Sequence, residues 1–443
     1  MNNSFKKRIV RVLPVIFAML LIGVVPLFAQ DATEAVHDTP SGPVEFVFWN
    51  QNATMEAGWQ KIVDGFNKVY PNVQIKLVGV TGTNWGEYLD GLATLVAGGD
   101  KPDLMWVATE GVQLLVNDLK LAMPLDDYIA KDQADLADYM KDVNPQLLDA
   151  FKVDGKQYEL PYSWNPMVIY YNTARLKDAG LEPPKANWTR DDFLKYAQAL
   201  TTTKADGTQQ YGYAWDNGGM FTSAVPWIYA NGGTVVSDDF CKATVTDPKV
   251  EDALQFMHDL IYKYKVAPTP ESLTNVFQSF MTGDIAMFGA GRWPLVTLLP
   301  TTFRDFDVIN WPGNPDQETE FGIDGFPILN TGENHDGAWA FVKYMTNKSV
   351  QEPLLGTVDS PAGNVPARVS VADQMSQFPP PNAQLYYHVL DGKAKLVPAP
   401  PKFNQLESIF IRYTSSIFAD ESSVSDAMTG AAGELSSVVS CGS

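Results

Sequence analysis

Between residues 44 and 107 the chain switches repeatedly between the apolar period of a strand and that of a helix. No other feature limits the fold as much. Val44-Glu45-Phe46-Val47-Phe48-Trp49 reads as a buried strand. Trp59, Ile62, Val63, Phe66 and Val69 then share one face at helical spacing, and Pro71 stops the helix. Val73 to Val78 alternates with the period of a strand. Trp85, Tyr88, Leu89, Leu92 and Val96 repeat the helical pattern up to the stop at Gly98-Gly99. Asp103 to Val107 is a third strand. This βαβαβ order predicts an α/β fold with a parallel sheet covered by helices.

The pattern continues downstream. Gly155 to Pro161 leads into a strand at Met167 to Asn172. Thr189-Arg190-Asp191-Asp192 opens a helix as a capping box with Asp in the place of Glu or Gln. Asp247 and Pro248 open another, as N-cap and first helical residue. Phe306 to Ile309 is a late short strand, and Ala338 to Met345 a helix. The proline-rich stretch from Pro379 to Pro401 reads as irregular. At 443 residues the chain has room for two domains.

The N-terminus carries a positive patch, Lys6 to Arg11, before an uncharged apolar run, Val12 to Ala29. Residues 1–29 read as a signal peptide, with an uncleaved anchor as the alternative, and 30–43 as a disordered leader. Export places the protein outside the cytoplasm, in a periplasm or at a cell surface. There Cys241 and Cys441 are free to form a disulfide or to remain two thiols. The net charge is −20, and it becomes −24 without Lys6, Lys7, Arg8 and Arg11. Such a surface repels phosphate backbones and argues against nucleic acid as a partner.

Catalytic and cofactor signals are thin. The four histidines form no metal-binding spacing, so no metal site is expected. Gly289-Ala290-Gly291 has Pro294 where a dinucleotide fingerprint needs its third glycine, and no cofactor is expected. Aromatic and amide residues at strand ends are the distinctive feature. Trp49, Asn50, Gln51 and Asn52 follow the first strand. Trp106 to Glu110 follows the third, and Trp164-Asn165 precedes the strand at Met167. Trp215, Trp227 and Arg292-Trp293 lie in later connections. Ligands of open α/β sheets bind beyond the carboxyl ends of the strands. Flat rings suit the C–H faces of a sugar, and amides and carboxylates suit its hydroxyl rim. For Trp59, Trp85, Trp188 and Trp339, on or beside helices, core packing is the better reading.

Seven short segments, in order, resemble the extracellular solute-binding protein family of carbohydrate ABC importers. They begin at Phe66-Asn67-Lys68-Val69-Tyr70-Pro71, Ala97-Gly98-Gly99-Asp100, Tyr158-Glu159-Leu160-Pro161, Tyr170-Tyr171-Asn172, Ala230-Asn231-Gly232-Gly233, Phe280-Met281-Thr282-Gly283-Asp284 and Ala338-Trp339-Ala340-Phe341. The resemblance implies two α/β lobes hinged around a ligand cleft, lobe one being 44–162 with 312–366 and lobe two 163–311 with 367–443. Phe306 to Trp311 would be a crossing strand. It further implies a monomeric, non-enzymatic protein that closes on a sugar or oligosaccharide and passes it to a membrane-embedded permease. Trp293 matches a sugar-stacking position and Glu110 a ligand-binding acid. Asn165, the 50–52 loop and Trp227 match contact positions, and Asp324 and Asn364 lie in late loops that face the cleft. The alternatives are a secreted glycoside hydrolase, or a binding protein for a phosphorylated polyol, which Arg292 and Arg368 would suit, or a polyamine.

Overall fold

A computed structural model describes residues 35–439 except 52, 217, 274, 315–316 and 356–362. The segment expected to be a signal peptide, 1–29, and the start of the expected leader lie outside that range. So does Cys441, and with it the Cys241–Cys441 pairing.

The expected βαβαβ unit is present. Strand β1 (Gly42–Trp49) lies between β2 (Val73–Val80) and β3 (Leu104–Met105), parallel to both. Helices α1 (Ala53–Val69) and α2 (Trp85–Ala97) make the crossovers. Asn84 caps α2 by accepting from the Glu87 N–H. Phe46, fully buried, packs on Trp59, Phe326 and Phe341, so β1, α1 and the helix His335–Met345 share one core.

The end of the leader is ordered, not disordered as expected. His37 stacks on Tyr70 at 4.9 Å, its N–H reaches Val69 O, and Asn72 Nδ2 holds Asp38 O. The third strand is also split. It breaks at Trp106, and β4 (Val107–Ala108) pairs with Thr319–Gly325 instead of β1. A single buried apolar run read as one strand therefore serves two sheets.

Thr319–Gly325 is the strand that ties the molecule together. It pairs antiparallel with β4 and with Ser163–Pro166, and parallel with Ala394–Leu396, inside the expected proline-rich irregular stretch. Val365–Pro366 extends the sheet on the far side of Ser163–Pro166. Phe306–Ile309, expected to cross between lobes, instead lies along Val168–Asn172 in a separate three-stranded sheet completed by Met287–Ala290. The capping box at Thr189 and the Asp247 cap with Pro248 form as expected. Two C-terminal helices, Phe403–Phe418 and Val424–Leu435, pack together, and the first also lies against α2. None of the helices among the described residues is long and apolar enough to cross a membrane.

Phe46→Ala removes the ring on which three elements converge. The expected cost is about 3–5 kcal/mol, read as a lower midpoint in equilibrium denaturant unfolding.

Candidate functional site

Alternation along Thr319–Gly325 puts Glu320, Gly322 and Asp324 on one face and Phe321 and Ile323 on the other. A Cβ on Gly322 would stand 3.5 Å from Thr109 Oγ1 and 3.6 Å from the Phe221 ring, so these two groups cover the strand at Gly322. Phe221 meets Trp293 with ring centroids 5.9 Å apart and planes tilted by 41°. Trp293 folds back over Gly291, where any Cβ would collide with the indole. Both rings stay half-exposed, as rings that stack on a ligand must.

A polar chain runs beside them. Arg292 N–H donates to Asn165 Oδ1 (2.9 Å), and Asn165 Nδ2 to Asn364 Oδ1 (3.0 Å). Asn364 Nδ2 then donates to Asp324 Oδ2 (2.7 Å) and Ser163 Oγ (3.0 Å), while Ser163 Oγ–H donates to the same Asp324 oxygen (2.6 Å). Four sequence segments meet there. Across from it, Glu110 follows β4 in the short helix Thr109–Gln113 and receives the Thr109 hydroxyl at 3.3 Å. Glu407, from the Phe403–Phe418 helix, accepts from Gly86 N–H of α2 (2.9 Å) and from Met220 N–H (3.3 Å). A Cβ on Gly86 would stand 3.2 Å from Asn404 Cα, so glycine permits this approach.

Burial sets the acid–base state of these carboxyls. Glu110 is pushed up to about 8, first by desolvation and then by the charges of Glu407 and Asp324. Asp324 is pushed up to about 7 by burial, opposed by Ser163 and Asn364. Glu407 is pushed up to about 7 by burial, opposed by the Gly86 and Met220 N–H groups. Glu159 and Glu320 are driven well above the usual range, again by burial first.

The structure brings Glu110, Asn165, Trp293, Asp324 and Asn364 into one region. It takes others out of it. Trp164 and Trp227 are core. Trp164 lies within a strand, not in a loop, and packs on Phe321 and Tyr387. Trp227 packs among Phe193, Phe256 and Trp311 and donates to Tyr213 OH at 3.2 Å. Trp49 and Trp106 do sit at strand ends, but each packs against Trp85 in a buried aromatic group. Arg292 is fully buried and gives its guanidinium to the carbonyls of Leu354, Leu355 and Asn364. Arg368 is likewise engaged, by Asp138 and Asp142. Asn50 is half-buried, Gln51 is exposed, and Asn52 lies outside the described residues.

Ser163, Thr109, Phe221, Glu320 and Glu407 were missed. Glu407 alone gave a signal. It falls on the apolar stripe Phe403, Leu406, Phe410, Thr414 and Ile417, where an acid is out of place.

Comparison with known proteins places this geometry. The profile of the family of bacterial extracellular solute-binding proteins matches residues 52–352, and the chain belongs to that family. It is 28% identical over 240 residues to an arabinooligosaccharide-binding protein of Bacillus subtilis, covering 52% of this chain and 50% of that one. It is 25% identical over 161 residues to a multiple sugar-binding protein of Streptococcus mutans, covering 36% and 34%. The chain spans about half the length, or less, of these curated relatives. The fold resembles an ABC substrate-binding protein of Listeria monocytogenes in complex with cycloalternan, with a TM-score of 0.77 at 22% identity, covering 90% and 99% of the two chains. It also resembles maltose-bound MalE3 of T. maritima, with a TM-score of 0.74 at 18% identity, covering 89% and 99%. The fold is the two-lobed α/β fold of periplasmic binding proteins.

The raised carboxyls give a pH signature. An acid held protonated by the fold contributes stability below its unfolded value, and loses it as pH rises through its folded value. The ligand-free protein is therefore expected to lose thermal stability between pH 5 and 8, where Glu110, Asp324 and Glu407 ionise. Glu110→Gln should flatten that slope, as followed by calorimetric Tm against pH.

Proposed function

We propose that the protein is the extracytoplasmic substrate-binding component of an ABC importer, capturing a sugar or oligosaccharide by hinge closure. One observation carries the reading: the half-exposed Phe221–Trp293 pair stands beside a buried to half-buried set of amides, hydroxyls and carboxyls drawn from segments far apart in sequence. The rings stack on the apolar faces of a pyranose or furanose, and the polar groups receive its hydroxyls. The sugar-binding names of the curated relatives support the same ligand class.

Lobe one is then 44–162 with 312–366, and lobe two 163–311 with 367–443, with one adjustment. Val369 N–H donates to Asp142 O at 2.7 Å and Arg368 pairs with Asp138 and Asp142, which favours a return to lobe two beyond residue 372. Glu407 bonding to Gly86 bridges the lobes in the closed form. Ligand contacts to both lobes favour that form over the open one. The protein acts as a monomer, binds no nucleic acid, and delivers its ligand unaltered to a membrane-embedded permease.

Calorimetry with arabino-, malto- and manno-oligosaccharides tests the reading. At least one series is expected to bind and raise Tm. Trp293→Ala should weaken that ligand about tenfold or more with Tm of the free protein little changed, since the ring is half-exposed. Unchanged affinity would remove Trp293 from the site. Chromatography of the incubated sugars should return them intact, and new products would favour a hydrolase.

A further inference from the structure

Glu320 is fully buried, and neither of its carboxylate oxygens has a hydrogen-bond partner among the described residues. It shares the strand face of Asp324 and of Gly322, over which Thr109 and Phe221 lie, and the charge it feels is that of Glu110. Glu407 and Asp324 in turn bear on Glu110. Four acids thus surround one region. None of them takes part in a salt bridge among the described residues. Lys395 and Arg292, both near this part of the sheet, are engaged elsewhere. Lys395, opposite Glu320 in register, binds Glu318 at 3.1 Å, and the Arg292 guanidinium holds three backbone carbonyls. Among the described residues these acids are also not grouped as the ligands of a metal ion would be.

Building on the sugar-binding reading, we propose that the ligand is an amine-bearing saccharide whose ammonium group docks against Glu320, with Glu110, Asp324 and Glu407 around it. A buried carboxylate with no donor is costly, and an ammonium arriving with its sugar ring supplies both charge and donors. The adjacent Phe221–Trp293 pair receives the ring, and its π faces also favour a nearby cation. A neutral sugar supplies hydroxyl donors but leaves the acids either protonated or mutually repelling.

The test compares matched probes with the full-length mature protein: cellotriose against the β-1,4 glucosamine trimer, and maltotetraose against acarbose. The amine-bearing member of at least one pair is expected to bind about tenfold tighter than its neutral partner, as for a charge-assisted hydrogen bond. Glu320→Gln, which keeps the side-chain shape, should bring that ratio to near one. Glu110→Gln serves as the second variant and should reduce it in the same direction. Neutral members binding as well or better, or an amine preference that survives both substitutions, would overturn the inference and leave the sugar-binding reading standing. Binding by neither member of either pair, nor by the neutral series above, would overturn both.

Discussion

Thr319–Gly325 is buried at every residue and hydrogen-bonded along both edges, and the rest of the structure depends on that pairing. A strand with both edges used has no freedom to slip, since a shift of one residue would exchange Phe321 and Ile323 with Glu320 and Asp324. Its partners come from near residues 108, 165 and 395. Backbone bonds alone therefore collect Glu110, Ser163, Asn165 and Asp324 around one face. The side chains then complete the arrangement, with Asn364 joining Asn165, Ser163 and Asp324 through three bonds.

That same burial shapes the chemistry. Acids taken out of water resist ionisation, so Glu110, Asp324 and Glu407 titrate near neutrality instead of near 4. All three have donors: the Thr109 hydroxyl for Glu110, Ser163 and Asn364 for Asp324, and the Gly86 and Met220 N–H groups for Glu407. Glu320, like Glu159, is buried with no donor to either carboxylate oxygen among the described residues. Glu407 does a second thing. By accepting from the first turn of α2 it joins the C-terminal helices to the N-terminal βαβαβ unit.

Much of the fold was legible because local periodicity and capping carry their own physical cause. The strands at Val44 and Val73, the helices at Trp59 and Asn84, the Thr189 capping box and the Asp247-Pro248 start all formed where apolar spacing and side-chain donors required. Tryptophan position was a poorer guide. Strand-end tryptophans fill the gap between sheet and helix as readily as they face a cleft. Trp49 and Trp106 went to the first use, and Trp293 stayed half-exposed because Gly291 leaves space for its ring to fold back. Arg292 was misleading for a related reason: an isolated arginine in a sequence does not disclose that three carbonyls surround it.

The amino-acid sequence by itself determined the α/β class, the order of the elements and several of the amides and acids near the site, because hydrophobic period, turn residues and caps act within a few positions of one another. Tertiary structure decided which acids share a face, which tryptophans remain accessible and where the third strand changes sheets. Those outcomes rest on contacts between residues far apart in the chain, such as Glu407 with Gly86, 321 positions away, whose strength depends on burial that no local window of sequence contains.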